Sequence, residues 1–516
     1  MANKILWADD EIDLLKPHIL FLTGKGYEVA TANNGHDALE MAAATPYDLI
    51  ILDENMPGLT GLETLTRIKQ AMPHIPVIMI TKSEEENIMD QAVGAKIADY
   101  LIKPVNPLQI LSSIKKTLHS DELVTESASV AYRREFPALA SAIDSARSVE
   151  EWMDVYRKLT YWDLELATAG TGMDEMLEMQ KVDANSAFSK MVKRDYEEWI
   201  TDESGAGRPF IMSHEVMKRR VFPLLDAGEK VFLVVIDNFR LDQWGVIKGL
   251  LADTFSISEE LYCSILPTAT QYARNAIFSG LLPIRIAEMF PSLWVDEDSE
   301  EGKNVNEEPL IATQLQRFRR KESFTYSKVN TNQAIEKLLR DFRRLEEHPL
   351  NVIVLNFIDM LSHARTESKM IRELAGTNAA YRSLTESWVR HSGALELLRR
   401  IARAGYRIVL TTDHGTIRVD NPIKVVGERN TNTNLRYKVG RNLDYNPRQV
   451  YEIKKPALYG LPAPNVSSAY IFATGRDFFA YRNNFNYYAS YYTGTFQHGG
   501  ISLEEMLVPL VTLSPK

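Results

Sequence analysis

Residues 48–58 read Asp-Leu-Ile-Ile-Leu-Asp-Glu-Asn-Met-Pro-Gly, an apolar run that ends in an aspartate and a turn. The run predicts a buried strand over Asp48–Leu52, and Pro57-Gly58 is typical of a turn. Similar runs alternate with stretches of helical period in the first 120 residues, at Lys4–Ala8, Glu28–Ala32, Val77–Ile80 and Tyr100–Ile102. Strands that alternate with helices favour a parallel sheet covered on both faces. We therefore predict an α/β fold for this segment.

Polar side chains follow these strands at their carboxyl ends, namely Asp9, Asp10, Asp53, Thr81 and Lys103. In an open α/β sheet these ends meet at one edge, where ligands bind. Three carboxylates held together need a cation, and their oxygens suit Mg²⁺. Because carboxylates act as nucleophiles in phosphoryl transfer, the set predicts a phosphoryl group on Asp53, offset by Lys103 and the metal. Any one of these residues alone is better explained as an ordinary polar strand end.

The first 120 residues resemble the receiver domain of two-component response regulators. The resemblance rests on Ala8–Glu11, Leu52–Gly58, Thr81 and Ala98–Pro104. It implies a flavodoxin-like fold in which Asp53 accepts a phosphoryl group from a sensor histidine kinase. It also implies that Asp10, Asp53 and the backbone of Asn55 bind Mg²⁺ with help from Asp9, and that Thr81, Lys103 and Tyr100 sense phosphorylation. Homodimerisation on phosphorylation, through the last strand and its flanking helices, is implied as well.

The rest of the chain divides into two parts. Residues 121–205 carry apolar side chains at helical spacing and predict a helical connector. Residues 206–516 return to α/β patterning, with strands predicted at 231–237, 351–357 and 407–411 and an acidic loop at 296–308. Residues 417–456 are polar, Asn-rich and locally basic, with nine Lys or Arg against four Asp or Glu. We expect three domains, at 1–120, 121–205 and 206–516.

Metal-ligand residue types follow the strands of the third domain. They are Asp237, Asp359 and His363, Asp413 and His414, and His498 near the end of the sequence. Thr270 lies near the start of a predicted helix, where an anionic phosphate is favoured. Three Asp, three His and a Thr hydroxyl divide into two sites that fit zinc best and manganese next. Two such metals can hold the attacking and leaving oxygens of a phosphoryl displacement. Each residue taken alone is better explained as a helix cap or a core histidine.

From about Arg208 to Lys516 the chain resembles the alkaline phosphatase superfamily and, within it, the PglZ domain. The motifs are Ile236–Arg240, Pro267–Arg274, Phe278–Pro283, Asn356–His363, Thr411–Gly415 and His498–Gly500. The resemblance implies one metal on Asp237, Asp413 and His414 with Thr270, and a second on Asp359, His363 and His498. It favours Thr270 over Thr268 as the nucleophile because of its distance from Ser279-Gly280. Candidates for phosphate contacts are Asn238, Arg240, Arg274 and Asn275, which are equally well explained as ordinary helix-surface polarity.

Composition narrows the classes of function. The chain has 516 residues and a formal net charge of −10. Because it is acidic and lacks a helix-turn-helix signature, we expect no stable DNA binding. It contains one cysteine, Cys263, so no intrachain disulfide can form, which fits a reducing compartment. There is no apolar run of about 18 residues and no secretory leader, so we expect a cytoplasmic protein without a membrane span.

The order of receiver, connector and PglZ domain resembles a class of response regulators associated with type IX protein secretion and gliding. This resemblance implies contacts with a sigma factor or a membrane component of the secretion machinery. We expect a phosphorylation-controlled, zinc-dependent phosphodiesterase that acts on oligonucleotide or cyclic nucleotide signals. The basic stretch at 417–456 favours a diester, unless it is merely a solvated loop. The alternative function is a phospho-dependent interaction protein whose metal domain only binds partners.

Overall fold

The computed structural model describes residues 3–82, 97–118, 120–169, 172–202, 207–296, 302, 304–367, 376–427, 431–463, 465 and 467–516. The chain forms two compact units, Met1–Val130 and Ala131–Lys516. None of the helices in these ranges is both long and apolar enough to cross a membrane.

The first unit is built around a parallel sheet of five strands. The strands are β1 (Lys4–Ala8), β2 (Glu28–Ala32), β3 (Leu49–Asp53), β4 (Val77–Thr81) and β5 (Asp99–Ile102). The described helices are α1 (Lys16–Gly24), α2 (Gly35–Ala44), α3 (Gly61–Ala71) and α4 (Pro107–Leu118), with a 3-10 turn at Ile12–Leu15. The order β2-β1-β3-β4-β5 is the flavodoxin-like order, which confirms the predicted fold. The strand predicted at Asp48–Leu52 is shifted by one residue, so β3 ends on Asp53 itself.

The two faces of this sheet pack into separate hydrophobic cores, because successive side chains of a strand point to opposite sides. One core contains Leu6, Ile50 and Leu52, and the other contains Ile5 and Ile51. β3 and β4 are buried along their whole length, as expected for central strands covered on both faces. Burying each of these aliphatic side chains stabilises the fold by about 1.5–3 kcal/mol. The carboxyl ends of β3 and β4 are therefore firmly held.

Three long helices follow, α5 (Ser120–Ser145), α6 (Val149–Ala169) and α7 (Asp174–Thr201). The apolar periodicity of this stretch thus predicted its helical structure correctly. Trp152 on α6 packs edge-on against Phe188 on α7, with ring centroids 5.8 Å apart. Tyr132 on α5 packs against Trp162 on α6 at 5.4 Å. Such aromatic pairs add to the stabilisation from burial and join the three helices.

A larger α/β arrangement occupies the rest of the chain. Its helices are α8 (Phe222–Asp226), α9 (Leu241–Ile247), α10 (Thr270–Ser279), α11 (Pro283–Met289), α12 (Glu307–Arg317), α13 (Asn332–Arg340), α14 (Phe342–Glu346), α15 (Phe357–Glu367), α16 (Asn378–His391), α17 (Ala394–Arg403), α18 (Phe485–Tyr492) and α19 (Leu503–Met506). Short turns of 3-10 helix lie at Ser213–Glu215, Lys248–Leu250 and Pro456–Tyr459, and a π-helical turn lies at Met217–Val221.

The strands of this part form one large sheet and three small ones. They are β6 (Val231–Ile236), β7 (Phe255–Cys263), β8 (Phe324–Val329), β9 (Leu350–Leu355), β10 (Arg407–Thr411), β11 (Ile417–Arg418), β12 (Asn421–Val425), β13 (Tyr437–Gly440), β14 (Tyr451–Ile453), β15 (Ala469–Phe472), β16 (Asp477–Tyr481), β17 (Phe496–Gln497) and β18 (Leu507–Pro515). The large sheet has the order β7-β18-β10-β6-β9-β8. β10, β6, β9 and β8 run parallel, while β18 is antiparallel to β10 and β7. The carboxyl ends of β6, β9 and β10 therefore meet at one edge.

Two differences from the predicted element boundaries affect the candidate site and its surroundings. Phe357 was predicted to end a strand, but β9 ends at Leu355 and Phe357 begins α15, which places Asp359 in the first turn of a helix. The acidic loop predicted at 296–308 ends early, because Glu307 and Glu308 form the first turn of α12. Acidic residues are favourable there, since the positive end of the helix dipole lies at the N-terminus.

The polar stretch at 417–456 is not a solvated loop. It contains β11, β12, β13 and β14, because apolar residues such as Ile423, Val425 and Val439 supply buried positions between the polar ones. Two of its nine basic residues, Arg436 and Lys438, are fully buried. The local positive charge available at the surface is therefore smaller than the composition indicates.

A buried histidine predicts how stability depends on pH. His214 is 6% exposed, and neither ring nitrogen makes a hydrogen bond with a described residue. Burial and the charges of Arg208 and Lys218 lower the pKa of His214 from 6.5 to about 3. Between these values the unfolded chain binds a proton that the folded chain does not, so the free energy of unfolding falls as the pH falls, by up to about 1.4 kcal/mol per pH unit. His214→Gln should therefore reduce the loss of stability between pH 7 and pH 5 by about 2 kcal/mol.

Denaturant unfolding of both proteins at the two pH values measures this difference. The control is His391→Gln, which makes the same substitution at an exposed side chain. An equal pH dependence in wild type and His214→Gln would contradict the prediction.

Candidate functional sites

Two strand ends of the large sheet bring together side chains predicted as metal ligands. Asp237 follows β6, and Asp413 and His414 follow β10. These three are buried and can offer ligand atoms that all lie within 4.8 Å of one another. Nε2 of His414 lies 3.9 Å from Oδ1 of Asp237 and 3.7 Å from Oδ2 of Asp413. The sequence therefore identified a set of side chains that the fold clusters.

Thr270 is the first residue of α10 and lies against this cluster. Its Oγ1 is 3.1 Å from Nε2 of His414 and 3.5 Å from Oδ1 of Asp237. The free N–H groups and the dipole of a helix N-terminus favour an anion at this position. Unlike its buried neighbours, Thr270 is partly exposed, so a ligand can reach its hydroxyl.

The second predicted set is described in part. Nε2 of His498 lies 3.9 Å from Oδ1 of Asp359, and the ring of His498 stacks on that of His414 with centroids 4.2 Å apart. The side chain of His363 lies outside the described residues, and its backbone is one helical turn after Asp359 on α15. The two sets are thus adjacent, as a two-metal phosphoryl-transfer site requires.

Backbone carbonyls fix the orientation of both histidine rings. Nδ1 of His414 lies 3.1 Å from the carbonyl oxygen of Gly415, and Nδ1 of His498 lies 3.1 Å from that of Thr268. A carbonyl oxygen can only accept, so the proton of each neutral ring is on Nδ1. The lone pair of each Nε2 is then available to a metal, as in many metal sites whose other ring nitrogen is held by the protein.

Thr268 has a structural role. It is fully buried, and its hydroxyl donates to the carbonyl of Gly500 at 2.8 Å and accepts from the amide of Gly499 at 3.0 Å. Its one hydroxyl proton is therefore already used. Thr268 holds the segment that carries His498, which favours Thr270 as the nucleophile.

Arg274 does not have the environment predicted for a phosphate-binding residue. Its guanidinium is 1% exposed and pairs with Oδ2 of Asp237 at 2.7 Å and Oδ2 of Asp413 at 3.5 Å. Its Nε donates to Glu307 at 2.5 Å. Burial raises the pKa of Asp237 and of Asp413, and in each case Arg274 offsets part of the rise. Arg274 therefore acts on two predicted metal ligands, which revises its proposed role.

Glu307 was missed in the sequence. It is 1% exposed, accepts from Arg274, and pairs with Lys328 at 3.2 Å. Tyr326 also donates a hydrogen bond to Glu307. In the sequence, Glu307 lies at the end of an acidic run just before an apolar helical pattern. That position does not show that the side chain is buried or that it pairs with Arg274.

Arg240 also differs from its predicted role. Its guanidinium donates to Asp242 at 2.9 and 2.6 Å and to Asn378 at 3.0 Å. Asp242 in turn accepts from Arg382, which also pairs with Asp163 on α6. The position of Arg240 therefore does not support a phosphate contact, and it belongs to a charged network that reaches the helical connector.

The two asparagines remain candidates for contact with a substrate. Asn238 follows Asp237 with a φ of 62°, and its Nδ2 donates to Oδ1 of Asp359 at 3.4 Å. Such a left-handed backbone costs a non-glycine residue energy and is found at functional sites. Oδ1 of Asn238 and Oδ1 of Asn275 are buried and accept no hydrogen bond within the described ranges.

The loop after β10 is held by buried hydroxyls that the sequence did not single out. Tyr262 donates to the carbonyl of Thr412 at 2.5 Å, and Ser264 donates to that of Asp413 at 2.6 Å. Oγ1 of Thr412 accepts from the amide of Phe239 at 3.0 Å. Gly415 is required sterically, because a Cβ there would lie 2.0 Å from the carbonyl oxygen of Glu504.

The donor set fits a metal such as zinc. Three aspartates and two histidines supply nitrogen and oxygen ligands, and both described Nε2 atoms face carboxylates. Oδ2 of Asp413 is buried and accepts no hydrogen bond from any residue the structure describes, although the guanidinium of Arg274 lies 3.5 Å away. A metal ion at this oxygen would supply the close partner that a buried carboxylate favours.

A separate cluster lies at the carboxyl edge of the receiver sheet. Asp9, Asp10 and Asp53 can offer oxygens within 4.8 Å of one another. Nζ of Lys103 lies 2.8 Å from Asp9 and 2.9 Å from Asp53. Burial raises the pKa of Asp53, and the hydrogen bond from Lys103 lowers it in part. Asp10 is exposed while Asp53 is buried, so the cluster opens to solvent on the side of Asp10.

The residues predicted to sense the phosphoryl group are next to this cluster. Thr81 is fully buried at the end of β4 and is hydrogen-bonded to the phenol of Tyr100 on β5. β4 pairs with both β3 and β5, so Thr81 lies on the strand between Asp53 and Tyr100. This arrangement is suited to transmit a structural change at Asp53 through Thr81 to Tyr100 on the outer strand β5.

Three family models match successive parts of the chain. The response regulator receiver domain matches residues 5–115, and the PorX response regulator linker domain matches residues 122–200. The BREX system PglZ alkaline phosphatase-like domain matches residues 216–513, more than half of the chain.

Individual relatives match the receiver part. The alkaline phosphatase synthesis transcriptional regulatory protein PhoP of Bacillus subtilis is 33% identical over 129 residues, which are 25% of this chain and 53% of that protein. The transcriptional regulatory protein SrrA of Staphylococcus aureus is 28% identical over 135 residues, or 26% of this chain and 56% of that protein. The chain thus spans about half the length of these curated relatives.

A similar solved structure is chemotaxis protein CheY4 of Vibrio cholerae, at 30% identity and a TM-score of 0.22, covering 23% of this chain and all of CheY4. The family models, rather than these partial relatives, determine the classification. They confirm the predicted architecture of a response regulator with a phosphatase-like output domain. The chain therefore belongs to the PglZ alkaline phosphatase-like family and has the receiver–linker–PglZ architecture of PorX-type response regulators.

Proposed function

We propose that this protein is a zinc-dependent phosphodiesterase whose activity is controlled by phosphorylation of Asp53. The observation that carries the proposal is the position of Thr270, with Oγ1 3.1 Å from Nε2 of His414 and 3.5 Å from Oδ1 of Asp237 at a helix N-terminus. A partly exposed hydroxyl among buried ligand groups is suited to act as a nucleophile.

The residues of the site have three roles in the proposed phosphoryl transfer: nucleophile, metal ligand and phosphoryl contact. Oγ1 of Thr270 would lose its proton to solvent and form a bond to phosphorus while the bond to one ester oxygen breaks, and that leaving oxygen would take up a proton from water. Water would then cleave the resulting threonine phosphodiester, which releases the phosphate monoester and restores the threonine hydroxyl. Asp237, Asp413 and His414 would hold one zinc ion, and Asp359, His363 and His498 the other. When bound, the metal supplies Lewis acidity that lowers the pKa of the threonine hydroxyl and offsets phosphoryl charge. Asn238 and Asn275 can donate amide N–H groups to phosphoryl oxygens.

The proposed substrate is a phosphodiester, in particular an oligonucleotide or a cyclic nucleotide signal. Support comes from exposed cations on the part of the chain between the ligands His414 and His498. Lys424, Arg448 and Arg482 are there, and none of them pairs with a carboxylate among the residues described. A second charged group of the substrate would find complementary charge on this part of the chain.

The receiver supports the regulatory half of the proposal. A sensor histidine kinase would supply the phosphoryl group of Asp53, which Lys103 and a Mg²⁺ ion on Asp10 and Asp53 would stabilise. Phosphorylation would promote a homodimer. Residues 122–200 match the PorX response regulator linker domain, and we propose that the protein acts in the control of type IX secretion and gliding, with a sigma factor or a membrane component of that machinery as further partners.

Metal removal and restoration test the enzyme. Zinc-loaded wild-type protein should hydrolyse a panel of bis-aryl phosphate and short linear and cyclic oligonucleotides. A chelator should remove at least about 99% of this turnover, since the metals provide most of the electrostatic stabilisation of the transition state. Added zinc should restore it and manganese should do so in part. Turnover that persists in protein shown by elemental analysis to be metal-free would contradict the proposal.

Phosphorylation is tested in the same assay. A small phosphoryl donor should change the turnover and the mass in light scattering for the wild type but not for Asp53→Asn, which lacks the acceptor carboxylate. If zinc-loaded, phosphorylated protein hydrolyses no member of the panel, the better description is the alternative function, a phospho-dependent interaction protein whose metal domain only binds partners. An unchanged mass would overturn the homodimer.

A further inference from the structure

A groove of about 330 Å³ lies between the connector helix α7 and the PglZ part of the chain, within the second compact unit. Six residues of α7 between Val182 and Lys193 form one wall, and their spacing puts them on one side of the helix. The facing wall includes residues 474–477, at the turn that leads into β16. Apart from Val182 the α7 wall is polar, although a helix that packs on a domain usually presents apolar side chains to it.

The charged side chains of the groove are mostly positive. Lys190 and Arg448 are exposed, Lys193 is partly buried, and none of the three forms an ion pair with a carboxylate that the structure describes. A fourth cation, Arg476, is already paired with two carboxylates. Asp477 is the one acidic residue of the lining. Three unpaired cations against one carboxylate leave an excess of two positive charges in the groove.

The ammonium group of Lys193 is held in place by the protein. Its Nζ donates to the carbonyl oxygen of Val450 at 3.2 Å, which uses one of its three protons. Burial lowers the pKa of Lys193, and the negative charge of Asp477 offsets part of this effect. Because an ammonium that is partly removed from water is stabilised by nearby negative charge, an anion in the groove would interact favourably with Lys193.

Ser189 lines the same wall of the groove and lacks a hydrogen-bond partner. It is 4% exposed, and its Oγ makes no hydrogen bond with any residue the structure describes. A buried hydroxyl in this state is unfavourable, and a ligand that accepts a hydrogen bond from it would remove the cost. Ser186, nearly one turn earlier on the helix, adds an exposed hydroxyl to the same wall.

Both walls of the groove are bonded to the segment that follows His498. The amide of Gly475 donates to the carbonyl oxygen of Ile501 at 2.8 Å. On the side of α7, Oδ1 of Asn185 accepts from the amide of Leu503 at 2.8 Å. A ligand in the groove would therefore contact two elements that are attached to the same segment, and its binding should stabilise the packing of α7 on the PglZ part.

We propose that this groove binds the phosphate group of a small phosphorylated molecule, with the ammonium groups of Lys190 and Lys193 and the hydroxyl of Ser189 as donors. A phosphate monoester carries about 1.5–2 negative charges at neutral pH, which matches the excess positive charge of the lining. The described lining contains no aromatic ring and none of the predicted metal ligands. A nucleic acid is therefore not favoured, since its bases would have no ring to stack on, and the inference does not depend on the proposed catalysis.

Calorimetric titration of the zinc-loaded full chain with inorganic phosphate and with glycerol phosphate gives the Kd of each ligand. Lys190→Gln combined with Lys193→Gln should raise the Kd at least about tenfold, because a hydrogen bond to a charged group contributes a factor of this size. Arginine at both positions should retain most of the affinity, since the charges remain. Lys158→Gln changes an exposed lysine of α6 that does not line the groove, and it should leave the Kd unchanged.

Ser189→Ala distinguishes a ligand contact from a structural role. It removes a hydroxyl that has no described partner in the free groove, so the midpoint of thermal unfolding should not fall. The same variant should raise the Kd for phosphate, because one donor to the ligand is lost. In the wild type, phosphate above its Kd should raise the midpoint of unfolding, and the glutamine pair should show no such shift.

The zinc site can also bind phosphate, so the titrations are repeated after the metal has been removed. Phosphate binding that disappears with the zinc and is unchanged in the glutamine pair would place the ligand at the metal cluster and overturn the inference. Absence of binding in the wild type would overturn it too, as would a Ser189→Ala protein that is less stable but binds phosphate as before. If the glutamine pair is unstable, Lys190→Gln alone, at an exposed position, replaces it. The ligand that binds more tightly shows whether the groove takes free phosphate or a phosphate ester.

Discussion

Thr270→Ala is expected to lower kcat/KM for phosphodiesters at least about 1000-fold while zinc content and thermal stability remain near the wild-type values. The reason is that the variant removes the attacking oxygen, and losing a nucleophile is among the largest single effects in enzymes. Stability should be little changed, because Thr270 is partly exposed and begins a helix whose packing lies elsewhere. Steady-state kinetics, elemental analysis and calorimetry of the purified variant give the three values.

Two further variants distinguish a loss of catalysis from a loss of stability. Thr270→Ser keeps a hydroxyl and should retain a large part of the activity. Thr268→Val removes the hydroxyl that bonds to Gly499 and Gly500, so it should lower the midpoint of unfolding while leaving more activity than Thr270→Ala. Full activity in Thr270→Ala would show that Thr270 is not the nucleophile.

The choice between the two threonines shows what sequence spacing can and cannot determine. The motif Pro267-Thr-Ala-Thr offers two hydroxyls two residues apart. Spacing alone cannot show that one hydroxyl proton is already donated to Gly500, a residue 232 positions away. The distinction depends on a long-range hydrogen bond, and only the folded chain contains it.

The strand-end residues were predictable for a general reason. Parallel strands present their carboxyl ends at one edge, so any polar residue directly after a buried apolar run is a candidate for that edge. Asp53, Asp237 and Asp413 all satisfy this rule, and each lies within a cluster in the structure. The pattern of the sequence therefore predicts the fold and the clusters together.

The roles of the two arginines near the site were harder to predict from the sequence. Arg240 and Arg274 lie close to predicted ligands in sequence, yet each is buried and paired with carboxylates. A fully buried arginine requires such partners, because an unpaired charge in the interior is strongly unfavourable. Glu307, a partner of Arg274, lies on a different helix, and no periodicity in the sequence links the two. Asp242 lies only two residues after Arg240, at the start of α9, but its place in the sequence does not show that the pair is buried.

The arginine network suggests why the connector and the PglZ part fold together. Asp163 on α6 pairs with Lys181 on α7 at 2.7 Å and with Arg382 on α16 at 2.9 Å. Lys181 and Arg382 lower the pKa of Asp163, although burial alone would raise it. Because Arg382 also contacts Asp242, the partner of Arg240, a continuous set of ion pairs joins α6 to the loop after Asp237.

Glu505→Gln is expected to destabilise the protein by about 3–5 kcal/mol, the range measured when one partner of a buried ion pair is removed. Glu505 and Arg436 are both fully buried, and their closest atoms are 2.6 Å apart. Glu505 also accepts from the amide of Gly500 at 2.9 Å and the hydroxyl of Ser502 at 2.6 Å. Loss of its charge removes the carboxylate that is hydrogen-bonded to the buried arginine and weakens the hold on the segment that carries His498. Denaturant unfolding should show the loss of stability, and kcat should fall as well.

A double variant and an exposed ion pair test whether the buried charge left by Glu505→Gln causes the loss of stability. Arg436→Met combined with Glu505→Leu removes both charges and should recover part of the lost stability, because the main cost of the single change is the charge left behind. The exposed pair Arg403–Glu396, at 3.1 Å, is the matched control, and Glu396→Gln should leave the unfolding midpoint almost unchanged since solvent screens such pairs. If Glu505→Gln lost less than about 1 kcal/mol, the ion pair would not be what fixes the His498 segment, and its position would have to come from the two hydrogen bonds of Thr268.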